Sequence, residues 1–190
     1  MMIMIKDKGT VYLATDADNL FSYIHHDDAM LEQNIPAWKD KNGMLIGVVN
    51  DCCERGADML RYGDILPTKY APTLENAIDR YIPALMEYME KDKLLDKDGD
   101  MTHKIMLAKG GKAIGIRITT FCDEFEDFLI YGRGQATARA SLLTTKGEDP
   151  ITRIRKAVAC VEAILGEKRF PVIVMNTRSE ERLILHGKED

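Results

Sequence analysis

The chain has 190 residues, of which 45% are hydrophobic and 30% are charged, and its formal net charge is −5 at pH 7. This composition is typical of a soluble globular protein, and the length suits a single domain spanning residues 1–190. The acidic balance argues against non-specific nucleic-acid binding and against an anionic membrane surface. No apolar run approaches the roughly 20 residues of a membrane span, and the start MMIMIKDKG has neither the length nor the cleavage site of a signal peptide.

The cysteines agree with a cytoplasmic location. The chain has four of them and no C-x-x-C pair. Cys52 and Cys53 are adjacent and poorly suited to bond each other, so we expect reduced thiols in a reducing compartment.

The first quarter of the chain is rich in strand signals. Residues 2–6 and 10–15 predict two strands of a hairpin, joined by the tight turn Asp7-Lys8-Gly9. Short strands are predicted around 20–24 and 34–38, and the apolar run 44–49 is typical of a buried strand. A helix is predicted over 53–62, with Gly63 as its cap.

The middle of the chain begins with a helix and continues with strands. Thr73 is placed to cap a helix whose apolar stripe runs to about Lys91, and Pro83 should kink or split it. A charged loop over 91–100 follows. Strands are then predicted over 104–109, 112–119, 121–126 and 128–131, the first two joined by Gly110-Gly111.

The last third begins with two helices. The turn Gly132-Arg133-Gly134 leads into a helix of small residues, and a second helix spans 150–165. Asp149 caps that second helix, Pro150 occupies its first turn and Gly166 ends it. Strands over 171–176 and 182–186 complete the chain.

The order of these elements predicts an α+β fold. Helices occur in pairs between strands in hairpins, whereas a parallel doubly wound sheet alternates single strands and helices. The order suits two antiparallel sheets stacked face to face, with a helix pair outside each. Each sheet would be apolar on both faces, as the run 44–49 indicates.

Several local motifs contain residues of the types found in ligand sites. Gly132-Arg133-Gly134 opens a helix and could hold phosphate, but the third small residue of a dinucleotide motif is missing at Thr137. A structural turn is favoured, in which Arg133 pairs with a carboxylate or contacts a neighbouring subunit. No cofactor is expected.

Metal and thiol sites are disfavoured as well. Asp96, Asp98 and Asp100 alternate as in a calcium loop, but Met101 stands where that loop needs glycine. The run 25–28, His-His-Asp-Asp, has metal-ligand side chains that point to opposite faces of a strand. Cys52 and Cys53 at a helix start are better explained as buried small residues than as reactive thiols.

Three motifs in this order resemble the proteasome β-subunit family, especially its bacterial relative, the heat-shock-locus V peptidase. They are the opening hairpin ending in Asp16, the strand with its turn over 42–48, and the Gly-x-Gly turn at 132–134 with its small-residue helix. Members of this family are N-terminal-nucleophile hydrolases with a four-layer αββα fold. The resemblance implies that fold for nearly the whole chain, and it implies subunits that assemble into rings.

The resemblance also locates a site whose usual residues are largely replaced. The family needs a threonine, serine or cysteine as first residue, with its free amine as base, and Met1 and Met2 occupy that end here. The helping lysine falls near Asn34, the oxyanion amide near Asn50, and the turn serine at Arg133. Among these positions, Asp16 alone matches the family pattern.

Two functions are compatible with this pattern. The first is a catalytically silent homologue that serves as an assembling or binding subunit, as a homo-oligomer or ring. The second is a peptidase or other amide hydrolase of the same family, activated by N-terminal processing. Thr10 is the nearest hydroxyl, but cleavage there would delete the first strand. Because the family's nucleophile is missing, the silent subunit is favoured. No motif specifies the peptide or small molecule that it would bind.

Overall fold

The computed structural model describes residues 1–16, 37–50, 62–91, 95, 103–118 and 121–187, and within them it contains two five-stranded antiparallel sheets. The first sheet has the order β10-β9-β2-β1-β8, and its strands in chain order are β1 Met2–Asp7, β2 Thr10–Asp16, β8 Phe128–Tyr131, β9 Val172–Asn176 and β10 Leu183–Leu185. The second has the order β3-β4-β5-β6-β7, formed by β3 Ala37–Lys39, β4 Leu45–Asn50, β5 His103–Lys109, β6 Lys112–Ile118 and β7 Phe121–Glu124.

The opening hairpin is confirmed. Met2 pairs with Thr15 and Asp7 with Thr10, which leaves Lys8 and Gly9 as a two-residue turn. Both turn residues have positive φ, 45° and 76°. Such turns match the right-handed twist of the flanking strands, which explains why the glycine stands there.

Four helical segments accompany the sheets in the described residues. They are α1 Tyr62–Ile65, α2 with the successive parts Leu74–Asn76, Ala77–Tyr81 and Ile82–Lys91, α3 Gln135–Thr144, and α4 Pro150–Leu165. Among the described residues, no helix has the length and apolar character needed to cross a membrane.

The predicted ends of α4 and α2 are confirmed. The Asp149 side chain accepts hydrogen bonds from Ile151 N and Thr152 N, and Gly166 ends α4 in the left-handed region. The side chain of Thr73 accepts from Asn76 N at the start of α2. Because Pro83 has no N–H to donate, the turn before it is disturbed, and Ala77–Tyr81 is π-helical.

Apolar side chains alternate between the two faces of each sheet, as buried sheets require. Met2, Leu13 and Val49 belong to the core between the sheets, while Ile3 packs on α3 and α4 and Ile46 packs on α2. The resulting layers are helices, sheet, sheet and helices. The predicted α+β sandwich of two antiparallel sheets is therefore confirmed.

Several local expectations differ from the structure or fall outside the described residues. Gly63 does not cap a helix, because it lies inside α1. The strand predicted at 121–126 ends at Glu124. The strand expected at 20–24, residues 53–61 of the predicted helix and most of the loop at 91–100 lie outside the described residues, as do residues 34–36 of the strand before β4.

Candidate functional site

Four neighbouring strands end at the same edge of the first sheet. Because β1 runs antiparallel to both β2 and β8, and β2 antiparallel to β9, the start of β1 meets the ends of β2 and β8 and the start of β9. Met1, Asp16 and the turn after Tyr131 are thereby brought together. The segment that leads into β9 arrives at the same edge.

Met1 and Asp16 form a buried ion pair. The α-amine of Met1 donates to Asp16 Oδ1 at 2.7 Å in a buried hydrogen bond, and the side chains of both residues are only 1% exposed. The carbonyl oxygen of Met1 also accepts a hydrogen bond of 3.2 Å from Asp16 N. The aspartate that the resemblance singles out therefore holds the first residue by backbone and side chain together.

A second cation lies on the same carboxylate. Arg169 Nη1 is 3.3 Å from Asp16 Oδ2, and its side chain is fully buried. Arg169 Nη2 also donates to Glu167 Oε2 at 2.5 Å, and Arg133 Nη1 lies 2.7 Å from Glu167 Oε1. We call these five groups, from the Met1 amine through Asp16, Arg169 and Glu167 to Arg133, the amino-terminal ion-pair network.

The turn after β8 closes on Met1. A Cβ added to Gly132 would lie 3.0 Å from Met1 Cα and 3.6 Å from Val49 Cγ1, and Gly132 has a φ of +99°. Both the space and the backbone conformation therefore favour glycine here. The contact with Val49 brings the end of β4, in the second sheet, to the same place.

The structure places the five positions that the resemblance assigns to the site in different surroundings. Met1 and Asp16 are in direct contact, and Arg133 is linked to them through Glu167 and Arg169. Asn50 is the last residue of β4, next to Val49, and pairs in register with His103. Asn34 lies outside the described residues.

Arg133 has the carboxylate partner that the sequence suggested. Its side chain is 68% exposed and pairs with Glu167. Gly134 precedes α3 in the left-handed region with no side-chain cap. The turn at 132–134 therefore positions the Arg133–Glu167 pair at the surface of the site.

The other candidate sites gain no support. In the described part of the chain, no group of three or more His, Cys, Asp or Glu side chains is arranged to hold a metal ion. Residues 25–28, 52–53, 96, 98 and 100 lie outside it. Cys122 and Cys160 are free thiols, and burial, with help from Asp123, raises the pKa of Cys122.

Sequence reasoning missed Arg169 and Glu167. They stand in the polar segment before β9, which has no motif, and Arg169 is 153 residues away from Asp16 in the chain. An arginine beside a predicted strand is ordinarily a solvated residue. Proline at 171 and the apolar run after it indicated a strand, but no signal indicated a buried arginine.

Chemically, the site presents ionic groups around a residue that cannot attack an acyl carbon. The side chain of Met1 has no hydroxyl or thiol, and it packs in the core beneath α3 and α4 with 3% exposure. The α-amine donates to a carboxylate in a buried position. Such a site holds residue 1 in place, and it offers no side-chain nucleophile at that residue.

The sequence matches no protein-family model and no curated protein. Solved structures do match. Thiobacillus denitrificans BPH in complex with epoxomicin has a TM-score of 0.70 and 14% identity over 92% of this chain and 96% of its own. A second structure of Thiobacillus denitrificans BPH has a TM-score of 0.69 and 13% identity, with the same coverage.

Eukaryotic HslV from Trypanosoma brucei is a further structural neighbour. It has a TM-score of 0.58 and 15% identity over 92% of this chain and 97% of its own. At such identities the likeness shows the fold alone. The chain has the fold of the proteasome-like N-terminal-nucleophile hydrolases.

Proposed function

We propose that this protein is a non-catalytic, proteasome-like subunit that assembles with copies of itself or binds a ligand, in the cytoplasm and as one domain over residues 1–190. The observation that carries the proposal is the residue at the nucleophile position. The resemblance assigns Met1 to that position, and Met1 is buried and ion-paired to Asp16. Without a hydroxyl or thiol, the covalent step by which the family cleaves amides has no attacking atom.

The second candidate is an amide hydrolase activated by N-terminal processing. It is favoured by Asp16, which matches the family pattern and lies within hydrogen-bond distance of the α-amine, the group that acts as base in the resembled family. Processing to Thr10 would nevertheless remove β1, which pairs with both β2 and β8 and has four fully or nearly fully buried side chains. A processed chain would lose the strand that joins β8 to the rest of the first sheet, so we rank this candidate second.

The proposal is tested by incubating the purified protein with fluorogenic peptides and with an electrophile that labels N-terminal threonine, serine or cysteine. Epoxomicin is added as a second probe because Thiobacillus denitrificans BPH binds it. We expect no cleavage and no labelled residue. Intact mass reports which residue stands first in the purified chain.

The matched control is Met1→Thr, prepared by scarless cleavage of a fusion so that residue 1 carries a free amine. Labelling or cleavage by this variant alone would identify the missing hydroxyl as the reason for inactivity. Labelling of one residue in the unaltered protein, lost when that residue is changed to alanine, would overturn the proposal in favour of the hydrolase.

A further inference from the structure

Among the described residues, two cations contact the buried carboxylate of Asp16. The Met1 amine lies on one oxygen and Arg169 on the other, and the side chains of Met1, Asp16 and Arg169 are 1%, 1% and 0% exposed. An exposed ion pair changes stability little when one partner is neutralised, because water solvates the other. A buried charge that loses one of its counter-ions is not resolvated by water, so that loss is unfavourable.

The surroundings of Met1 are closed on the side of the turn after β8. The Cα of Met1 would be 3.0 Å from a Cβ at Gly132, and the nitrogen would be 3.5 Å away. The backbone of Met1 is also tied to Asp16 N through its carbonyl oxygen. The amine therefore has the turn on one side and the Asp16 carboxylate on another.

We propose that the start of β1, the end of β2 and the turn at Gly132 form a binding site for the free α-ammonium group of residue 1. Blocking that amine, by Nα-acetylation or by a peptide bond to a preceding residue, destabilises the folded protein. The requirement applies equally to an amine left by translation and to one released by cleavage of a preceding segment. It is independent of whether the protein is catalytic.

The proposal depends on the positive charge of the Met1 α-ammonium group. An acetylated or extended nitrogen keeps one N–H, so it can still donate to Asp16, but it no longer carries a positive charge. The Asp16 carboxylate then loses one of its buried counter-ions. Nα-acetylation would thus act at this site as a modification that opposes folding, and a preceding segment would delay folding until it is removed.

The experiment compares urea unfolding of three chains: one with a free Met1 amine, one with a single glycine before Met1, and one that is Nα-acetylated. Each is prepared in the unaltered sequence, in Asp16→Asn and in Glu180→Gln. Glu180 is a suitable control because its carboxylate pairs with Lys39 but is 84% exposed. Stability is expressed as the equilibrium constant for unfolding in water.

In the unaltered and Glu180→Gln chains, we expect blocking to raise this constant about tenfold or more. In Asp16→Asn the same blocking should raise it less than about threefold, because the charge it removes no longer has a carboxylate partner. Equal stability of free and blocked chains would overturn the proposal. An equal penalty in all three backgrounds would also overturn it, because the effect would then be steric.

A second measurement does not depend on Asp16→Asn folding. The free chain is treated with acetic anhydride near pH 8, and the rate of α-amine modification is followed by mass spectrometry with and without urea. We expect the folded protein to protect the α-amine at least about tenfold relative to the unfolded chain, since its hydrogen bond to Asp16 is buried. Equal rates in both states would contradict a buried, bound ammonium group.

Discussion

At the residue scale, the buried polar groups of the site differ in how well they are satisfied. The Met1 amine and Arg169 both pair with the Asp16 carboxylate, whereas the hydroxyl of Thr15 is buried and has no hydrogen-bond partner among the described residues. Thr15 alternates with Asp16 on β2 and so faces the core between the sheets. An unpaired buried hydroxyl is unfavourable because it has left water without finding a new partner.

Thr15→Val should therefore stabilise the protein. The change keeps the shape of the side chain and removes the unpaired hydroxyl, and we expect the free energy of unfolding to rise by about 1 kcal/mol in urea titrations. Thr145→Val is the matched control, because the Thr145 hydroxyl donates to Ser141 O at 2.8 Å. That variant should lose about 1 kcal/mol. A destabilised Thr15→Val would show that the hydroxyl is satisfied after all.

Tyr81 predicts a dependence of stability on alkaline pH. Burial, with a smaller contribution from Asp40, raises the pKa of Tyr81 from 10.0 to about 12. The folded state then favours the protonated phenol, which donates to Tyr70 O at 2.8 Å. Its contribution to the free energy of unfolding is complete below pH 10.0 and is lost as the pH rises to about 12.

Tyr81→Phe should flatten that decline in urea titrations run from pH 9 upwards. Some decline should persist, because burial and the hydrogen bond to Asp123 also raise the pKa of Tyr131. An unchanged slope in Tyr81→Phe would show that this phenol does not titrate differently on unfolding.

At the element scale, α4 is the helix whose limits and buried face were best predicted. Its apolar residues recur at spacings of three and four, and Ile154, Val158 and Val161 are all buried against the first sheet and α3. The element depends on tertiary packing for most of its stability, as short helices generally do.

Val158→Asp should destabilise the protein by about 3 kcal/mol or more, because it places an unpaired charge in this core. The matched control is Ala159→Asp at the next, exposed position. There we expect a loss below about 1 kcal/mol, from helix propensity alone. Thermal and urea unfolding of both variants make the comparison, and equal effects would mean that α4 presents a different face to the core.

At the scale of the whole molecule, the fold leaves large apolar side chains at the surface. Ile78 and Ile164 are 58% and 69% exposed on the two outer helix layers, and Phe121 is 52% exposed on the edge strand β7. Isolated exposed apolar residues are common in monomers, so they do not by themselves define an interface. The resemblance to ring-forming subunits supplies the stronger reason to expect assembly.

The purified protein should therefore scatter light as a homo-oligomer at micromolar concentration. We expect a mass that is a multiple of the 21.5 kDa chain, and a ring would keep that mass on dilution because its interfaces close on themselves. A mass of one chain at micromolar concentration would contradict the assembly expected here.

The sequence by itself determined the elements and the way they stack. The local signals could be predicted because each depends on residues only a few positions apart. They are the glycines of tight turns, helix caps such as Asp149 and the periodicity of apolar residues. The element order then led to two antiparallel sheets between helices. It also indicated the edge at which Met1, Asp16 and the turn at Arg133 would lie, through resemblance to a family with this order.

Only the tertiary structure decided what that edge contains. Arg169 and Glu167 stand in a polar segment without a motif, and they reach Asp16 because antiparallel pairing of β2 with β9 brings distant ends of the chain together. Burial determines how strongly these groups interact, since an α-amine, a carboxylate and a guanidinium in water would interact weakly. Because they are buried, they form an ion-pair network that holds residue 1.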